Sequence, residues 1–278
     1  MTIKLNNHHY IRTVRKYRYY LLSMLELIIH FSPLNRIIRI FTGPKKDLTS
    51  IITLRKWGLS FEVRSAMDVW SVKETFIDQF YTRYGCPVVN GWMVMDIGGG
   101  IGDFSIFASH GFPDNKVYTF EPYPGSFNLL VGNLRRNWIT NVQAFQEAIW
   151  SSDGRLVLDT STGEPVQFIS RELGRDGANE NVSVPCISFK VAMDRLGIEH
   201  CDLLKIDAEG AEYAILFEAP DAALLKIDRI VMEYHDAISS HTHADLINFL
   251  QAKGFHVKAV ENAVHPELGY LFAERRAL

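Results

Sequence analysis

Residues 92–105 read WMVMDIGGGIGDFS, and this stretch decides the fold class. The apolar run Trp92–Ile97 is typical of a buried strand, and the sequence from Asp103 onward is typical of a helix. Between them lies a loop with glycine at positions 98, 99, 100 and 102. Glycine permits a sharp turn and lets a ligand approach the backbone closely. The stretch therefore predicts a strand, a ligand-binding loop and a helix, in that order.

Strand and helix patterns alternate along the rest of the chain. Four more strands are predicted for the same sheet, at Lys116–Phe120, Val142–Trp150, Leu203–Ile206 and Arg229–Glu233. An antiparallel excursion is predicted at Arg155–Asp159, Val166–Ser170 and Val182–Ile187, and a closing hairpin at His256–Val260 and Gly269–Ala273. This alternation indicates an α/β fold with a doubly wound, mostly parallel sheet. Its ligands are expected beyond the carboxyl ends of the strands.

The spacing of the glycines separates two classes of nucleotide-binding loop. A dinucleotide fold requires G-x-G-x-x-G, whose third glycine would fall at Asp103 or at Ser105, depending on the frame. Both frames fail, and the carboxylate of Asp103 would repel a pyrophosphate. The pattern is instead D-x-G-x-G-x-G, formed by Asp96, Gly98, Gly100 and Gly102. It favours a ligand without phosphate whose amino-acid end is held by carboxylates, with an ordinary tight turn as the alternative.

A second acidic residue belongs with this loop. Glu121 stands 23 residues after Gly98, at the end of the second predicted strand. A carboxylate there can accept hydrogen bonds from both hydroxyls of a ribose. Together, the acid-rich loop and the ribose carboxylate indicate S-adenosylmethionine, which carries an ammonium, a sulfonium and a ribose. The alternative role for Glu121 is a solvated charge at a strand end.

Candidate catalytic residues follow two later strands. The stretch CDLLKIDAEGAEY, residues 201–213, places Asp207 at the carboxyl tip of a strand, with Glu209 and Glu212 at the start of a helix. Helix capping and favourable first-turn charges are the alternative roles. The next strand leads to His235, whose unperturbed pKa near 6.5 suits a general base, with a structural histidine as the alternative. We take Asp207, His235 and Glu209 as the candidate catalytic residues.

Several other classes of site are excluded by the sequence. No G-x-S-x-G, H-E-x-x-H or G-K-[ST] motif occurs. No metal ligand set is predicted, because His241 and His243 stand at i, i+2 and would face different sides of a helix. The three cysteines, Cys86, Cys186 and Cys201, form no CxxC pair and no even-numbered disulfide framework. We therefore expect a reducing, cytoplasmic compartment.

Residues 1–46 differ from the rest of the chain in charge. They carry nine basic residues and one acidic residue, Glu26, for a net charge of +8, whereas the remaining 232 residues carry 20 basic and 31 acidic residues, for −11. The apolar run Tyr19–Phe31 is too short for a membrane span of about 20 residues. Its basic flank suits a helix lying in a membrane surface, at the inner face of the membrane. Glu26 and the lack of a cleavage site argue against a signal peptide.

Other roles for this arm stay open, including packing on the main domain or on a second copy in a homo-oligomer. Nucleic acid is disfavoured, because the acidic body would repel phosphates. We expect a basic, apolar helical arm over residues 1–50 and a lead-in over residues 51–90. In the lead-in, Thr53–Arg64 predicts two strands and Val69–Tyr84 a helix. The main domain is expected over residues 91–278.

The motifs resemble those of the FkbM-type S-adenosylmethionine-dependent methyltransferases. The resemblance is carried, in order, by VMDIGGGIGDFS, YTFEPYPGSFNLLVGNLRRN, the EAI at residues 147–149, DLLKIDAEGAEY and VMEYH, within about residues 50–275. It implies a class I methyltransferase (Rossmann-like) fold, with an antiparallel C-terminal strand and a helical N-terminal extension. The family often has Ala-Asn where this chain has Gly99-Gly100, so a polar side chain is missing from the loop.

The resemblance also implies roles for individual residues. The methionine end of the cofactor would be lined by Asp96, Gly98, Gly100 and Gly102. Glu121, with Pro122 of the F-E-P run, would bind the ribose, and Glu147 with Ala148 the adenine region. Asp207 would lie near the sulfonium and the acceptor.

We therefore expect an S-adenosylmethionine-dependent methyltransferase that acts on a hydroxyl of a sugar, a glycan or a polyketide-like natural product. Asp207 or His235 would take the hydroxyl proton. The polar segment Arg171–Asn181 would help to bind the acceptor, with a disordered surface insert as the alternative. One rival is an inactive cofactor-binding or scaffolding protein with the same fold. A nicotinamide oxidoreductase is disfavoured by the missing third glycine.

Overall fold

The computed structural model describes residues 2–43, 49–159, 168–170, 181–236, 238, 240–262, 264–265 and 267–275. Residues 171–180 of the proposed acceptor segment lie outside the described residues. The helices are α1 (Thr2–His30), α2 (Leu34–Thr42), α3 (Ala66–Lys73), α4 (Asp103–Ser109), α5 (Pro124–Arg136), α6 (Phe189–Arg195), α7 (Glu212–Phe217), α8 (Asp221–Leu224) and α9 (His243–Ala252). The strands are β1 (Phe31–Ser32), β2 (Ser50–Leu54), β3 (Leu59–Val63), β4 (Met93–Ile97), β5 (Lys116–Phe120), β6 (Val142–Phe145), β7 (Ala148–Trp150), β8 (Gly154–Asp159), β9 (Phe168–Ser170), β10 (Asn181–Ser188), β11 (Leu203–Ile206), β12 (Arg229–His235), β13 (Phe255–Glu261) and β14 (Leu268–Arg275).

The central sheet has the strand order β13-β14-β12-β11-β4-β5-β6. Neighbours from β12 to β6 are parallel, while β14 is antiparallel to both β12 and β13. This confirms the predicted doubly wound sheet and its closing hairpin, and it is the class I methyltransferase arrangement. The chain leaves β4 toward β5 and later returns to β11 on the other side of β4. The order therefore reverses at the carboxyl ends of β4 and β11, where a ligand is expected.

Helices cover both faces of this sheet, which explains the continuous apolar runs in its inner strands. β11 is buried along its whole length, as is most of β4. One large core cluster lies around β11 and β12 and includes Phe189, Leu204 and Leu246. A second cluster joins the lead-in strands to α4 and α5 and includes Phe61, Phe76 and Leu130.

The predicted strand Val142–Trp150 is wrong as a single element. Its first half, β6, pairs with β5 in the central sheet. Its second half, β7, pairs with β10 in a separate sheet of order β7-β10-β8-β9. The chain passes from one sheet to the other at Gln146 and Glu147. The apolar pattern does not reveal this, because the choice of pairing partner depends on tertiary structure. The antiparallel excursion itself is confirmed by the pairing of β10 with β8 and of β8 with β9.

The predicted helix Val69–Tyr84 is also shorter than expected. α3 ends at Lys73, continues as a π-helical turn over Glu74–Asp78, and stops at Gln79, whose φ is +54°. The left-handed turn lets the Phe80 ring stack on Tyr270 with centroids 4.6 Å apart. Packing against the sheet therefore overrides the helical period of the apolar residues.

The arm is joined to the lead-in by pairing and by ion pairs. β1 pairs with β2 in a small sheet of order β1-β2-β3. The buried ammonium of Lys73 lies 2.9 Å from Glu26 of α1 and 2.7 Å from Asp78. The hydroxyl of Tyr19 donates a hydrogen bond to Asp78 over 3.1 Å. Glu26, which interrupts the apolar run, thus fixes α1 against the lead-in helix. Within the described part of the chain, no helix combines the length and apolar character needed to cross a bilayer.

Candidate active site

A pocket opens at the carboxyl ends of β4, β5 and β11, where the strand order reverses. The sequence-proposed residues that line it are Gly98, Gly100, Glu121, Pro122, Ala148, Asp207 and Glu209. The sequence-proposed residues that lie outside its walls are Asp96, Gly102, Glu147 and His235. Residues of the lead-in, including Trp70, Glu74 and Tyr81, form the opposite wall.

The glycine loop is tightly fixed to its neighbours. The N–H groups of Gly98 and Gly99 both donate to the carbonyl of Phe120 over 3.0 Å. Gly98 has φ +80°, and a Cβ added there would lie 1.7 Å from the carbonyl oxygen of Asp207. Glycine is therefore required at position 98 by both conformation and space.

This chain has Gly99-Gly100 where the family often has Ala-Asn, and the structure explains the glycine at position 99. A Cβ on Gly99 would lie 2.3 Å from Thr119 Oγ1 and 2.8 Å from Leu130 Cδ1, so these side chains fill the place of an alanine methyl. A Cβ on Gly100 would meet only Asp103 Oδ1, at 3.9 Å. Gly100 has φ +53°, a conformation that asparagine tolerates better than most residues. The space beside Gly100 opens into the pocket.

Glu121 is fixed by the backbone on both sides. Its Oε2 accepts a hydrogen bond from the N–H of Gly100 over 2.8 Å, and its Oε1 accepts from the N–H of Tyr123 over 2.9 Å. The side chain is buried at the edge of the pocket. Each carboxylate oxygen has further lone pairs, so the group can still accept hydrogen bonds from a ligand.

Asp96 acts within the protein rather than on the pocket surface. Its carboxylate is fully buried and accepts hydrogen bonds from Ser105 over 2.6 Å and from Thr119 over 3.3 Å. The ammonium of Lys205 lies 3.1 Å from Asp96 and donates to the carbonyl of Gly98 over 2.6 Å. Burial alone would lower the pKa of Lys205, but Asp96 and Asp207 raise it above the ordinary value.

Gly102 and Glu147 also have internal roles. Gly102 precedes α4, and a Cβ there would lie 3.2 Å from Leu130 Cγ, so its contact is with α5. Glu147 forms an ion pair with Arg195. Ala148 and Ile149, which follow Glu147 in the chain, line the pocket together with Leu158 and give it an apolar wall.

The far end of the pocket is acidic. Asp207 Oδ2 accepts a hydrogen bond from the hydroxyl of Tyr81 over 2.8 Å, and Asp207 remains partly exposed. Glu74 accepts from the indole N–H of Trp70 over 3.0 Å, and burial raises the pKa of Glu74 to about 8. Burial, together with the charge of Asp207, raises the pKa of Glu233 well above its ordinary value.

His235 lies behind this acidic end and is buried. Its Nδ1 lies 2.9 Å from Glu212 Oε1, and its Nε2 lies 3.3 Å from Glu209 Oε2. Burial alone would lower the pKa of His235, but Glu212 and Glu209 raise it well above the ordinary value. The argument for His235 as a general base assumed an unperturbed pKa. That assumption does not hold, because Glu212 and Glu209 change the pKa of the imidazole.

Sequence reasoning missed four residues that shape the site. Tyr81 and Glu74 come from the lead-in, and no local pattern indicates that it covers the pocket. Glu233 stands two residues before His235 at the end of a strand, so its strand-end position was a usable signal. Lys205 belongs to the K-I-D-x-E-G run and was a usable signal too, since a lysine inside a buried strand requires a partner.

Comparisons with known proteins identify the family of this chain. The sequence matches the Methyltransferase FkbM domain family over residues 96–257. Methyltransferase 1 of Beauveria bassiana is 29% identical over 208 residues, which covers 68% of this chain and 81% of that protein. The 31-O-demethyl-FK506 methyltransferase FkbM of Streptomyces tacrolimicus is 28% identical over 244 residues, with coverages of 78% and 92%. Among solved structures, Methyltransferase FkbM from Methylobacillus flagellatus KT has a TM-score of 0.48 and 15% identity, over 70% of this chain and 47% of that chain.

Proposed function

Because this chain belongs to the FkbM methyltransferase family, we propose that it transfers a methyl group from its cofactor, S-adenosylmethionine, to a hydroxyl oxygen. The acceptor we propose is a sugar, a glycan or a polyketide-like natural product. The observation that carries the proposal is the Glu121 carboxylate, fixed by the N–H of Gly100 at the mouth of the glycine loop.

The cofactor fits the residues of the pocket. Glu121 is placed to accept hydrogen bonds from ribose hydroxyls, and the open space beside Gly100 admits the methionine part. The apolar wall of Ala148, Ile149 and Leu158 suits the adenine ring. When bound, the cofactor supplies an electrophilic methyl group on a sulfonium, which becomes a neutral thioether after transfer.

Asp207 is the residue that we assign to the acceptor hydroxyl. It lies at the carboxyl end of β11 between the glycine loop and the lead-in wall, and Tyr81 orients it. A carboxylate there accepts the hydroxyl hydrogen bond and takes the proton as the oxygen–methyl bond forms. Transfer needs the oxygen within roughly 3–3.5 Å of the methyl carbon, so positioning by the pocket supplies much of the rate.

Two observations support oxygen as the acceptor atom. One relative is named for an O-demethylated acceptor, 31-O-demethyl-FK506. The acidic end of the pocket, with Glu74, Asp207 and Glu233, offers several acceptors for hydrogen bonds from hydroxyl groups.

The test is a turnover assay on a panel of sugars, glycans and polyketide-like alcohols. The protein is incubated with S-adenosylmethionine, S-adenosylhomocysteine is quantified, and the product is examined for a methyl ether. We expect at least one hydroxyl acceptor to be methylated, and Asp207→Asn to lower kcat while cofactor affinity is retained. Cofactor binding without turnover on any acceptor would favour the inactive scaffold, and methylation at nitrogen or carbon would contradict the proposal.

For the arm, we propose contact with an anionic membrane surface. One side of α1 packs on the protein through Ser23 and Leu27, each 1% exposed. The other side leaves Leu21 67% exposed and Ile29 62% exposed, in a row of further exposed apolar residues. Exposed apolar residues on a helix that also carries the exposed Lys16 and Arg18 are typical of a helix that lies in the headgroup layer.

A further inference from the structure

We propose that the carboxyl ends of β11 and β12 form a divalent-cation site with Asp207, Glu233 and His235 as ligands. One potential ligand atom from each residue lies within 4.8 Å of the others. Asp207 and Glu233 also line the pocket that we assign to methyl transfer. The binding of the cation does not depend on the proposed function. Its role does, because the cation would hold the acceptor hydroxyl.

The surroundings of His235 match those of a metal-binding histidine. A ligating imidazole commonly bonds its second ring nitrogen to a carboxylate, which fixes the ring. Here Nδ1 lies 2.9 Å from Glu212, whose side chain is fully buried. Nε2 is then directed toward Glu209, 3.3 Å away, on the pocket side. Glu209 is thus placed to act as a fourth ligand.

A second observation comes from Tyr270, which stands opposite Glu233 in the strand pair β12–β14. Its side chain is 97% buried, and its hydroxyl has no hydrogen-bond partner among the described residues. Residues directly opposite in an antiparallel pair lie on the same face of the sheet, so Tyr270 lies on the face of Glu233. Its ring centroid is 6.1 Å from that of Tyr81, whose hydroxyl donates a hydrogen bond to Asp207. A buried hydroxyl without a partner is costly, and water on a bound cation would supply that partner.

The charges at this end of the pocket also favour a cation. Four carboxylates are collected here, on Glu74, Asp207, Glu209 and Glu233. Lys205 lies 3.8 Å from Asp207 but is closer to Asp96, at 3.1 Å. A divalent cation between Asp207 and Glu233 would stabilise the ionised forms of both carboxyl groups.

Two carboxylates and one imidazole with open positions suit a hard or borderline cation such as Mg²⁺ or Mn²⁺. Bound to an acceptor hydroxyl, such a cation lowers the pKa of that hydroxyl. The hydroxyl proton leaves to a pocket carboxylate, the oxygen–methyl bond forms, and the sulfur–methyl bond breaks. Atoms and charge balance without a further reactant.

The test is calorimetric titration of the chelator-treated full chain with MnCl₂, without S-adenosylmethionine. We expect saturable binding that Glu233→Gln and Asp207→Asn each weaken at least tenfold. The matched control is Asp228→Asn, because Asp228 belongs to a separate cluster with His200 and Asp202 that does not line the pocket. This variant should leave the affinity of the pocket site unchanged. Circular dichroism verifies the fold of each variant. If Glu233→Gln does not fold, the affinity of Asp207→Asn for Mn²⁺ decides the test.

The proposal is overturned if the wild type binds no Mn²⁺ at millimolar concentration. It is also overturned if binding survives both pocket variants, or is lost in Asp228→Asn. The same samples are titrated separately with S-adenosylmethionine. Cofactor binding without Mn²⁺ binding would reject the metal site and leave the methyltransferase proposal standing. Mn²⁺ binding without cofactor binding would support the metal site and count against the methyltransferase proposal.

Discussion

The ammonium of Lys205 lies 2.6 Å from the carbonyl oxygen of Gly98 and thereby fixes the glycine loop to strand β11. The same ammonium pairs with Asp96 at 3.1 Å, and both side chains are buried. The lysine of the K-I-D-x-E-G run and the aspartate of the D-x-G-x-G run therefore form one buried ion pair that joins the two motifs. The two motifs shape the pocket together, although neither of these two charges lines it.

Replacing Lys205 should destabilise the protein strongly. Lys205→Met leaves the buried carboxylate of Asp96 without its cation, and breaking a buried pair in this way costs about 3–5 kcal/mol. The control is Lys190→Met, which removes an exposed i, i+4 pair with Asp194 and should change stability little. Urea unfolding measures both, and similar losses in the two variants would contradict this role for Lys205.

Gly98→Ala should abolish cofactor binding. The new Cβ would overlap the carbonyl oxygen of Asp207 at 1.7 Å, and φ +80° is unfavourable for alanine. The control is Gly132→Ala in α5, where an added Cβ meets nothing within 4 Å. This substitution should stabilise the helix by about 0.5–1 kcal/mol, because alanine loses less conformational freedom than glycine on folding. Calorimetry with S-adenosylmethionine distinguishes the two variants. Unchanged affinity in Gly98→Ala would show that the loop adopts another geometry.

The two positions of the Gly99-Gly100 departure should respond differently to substitution. Gly99→Ala places a methyl group 2.3 Å from Thr119 Oγ1, and overpacking of this kind costs about 1–3 kcal/mol. Gly100→Asn should retain the fold, because its Cβ has open space and asparagine tolerates the left-handed conformation. Thermal unfolding compares the variants. A Gly100→Asn variant less stable than Gly99→Ala would contradict this view of the loop.

The thiol of Cys86 should be unreactive in the folded protein. Burial, with a contribution from Glu274, raises its pKa to about 11, and the thiolate is the reactive form. At pH 8, roughly one thiol in a thousand would be ionised, against roughly one in ten at the ordinary pKa of 9. Iodoacetamide labelling followed by peptide mass spectrometry should modify Cys86 only after unfolding in urea. Rapid labelling of the native protein at pH 8 would refute this.

The arm should bind anionic vesicles in a salt-sensitive way, since exposed charges are screened within about 10 Å at 0.1 M salt. Leu21→Glu combined with Ile29→Glu should weaken vesicle binding, because both side chains are exposed on α1. Trp138→Glu is the control, because Trp138 is 89% exposed and lies outside the arm, after α5. Vesicle sedimentation measures the effect. The membrane proposal would be contradicted if the wild type binds no vesicles. If the wild type is then a dimer and the double variant is not, the exposed apolar face of α1 contacts a second copy of the chain instead.

The parts of the site that lie at strand ends were predictable from sequence. An apolar strand followed by D-x-G-x-G-x-G located the glycine loop, and the same logic located Glu121 and Asp207. The contributions of Tyr81 and Glu74 were not predictable, because they depend on how the lead-in segment packs over the sheet. The raised pKa of His235 was equally hidden, since it depends on two carboxylates of another element. Local patterns thus revealed positions along the chain, while burial and charge at those positions depended on tertiary packing.

The most direct test of the account is calorimetric titration with S-adenosylmethionine, S-adenosylhomocysteine and NAD, on the wild type and on Glu121→Ala. We expect both sulfur ligands to bind the wild type and NAD not to bind. Glu121→Ala should weaken binding by about tenfold or more, because hydrogen bonds to a charged group contribute about 1.5–3 kcal/mol. Binding of NAD, or equal affinity of the two proteins for S-adenosylmethionine, would contradict the account.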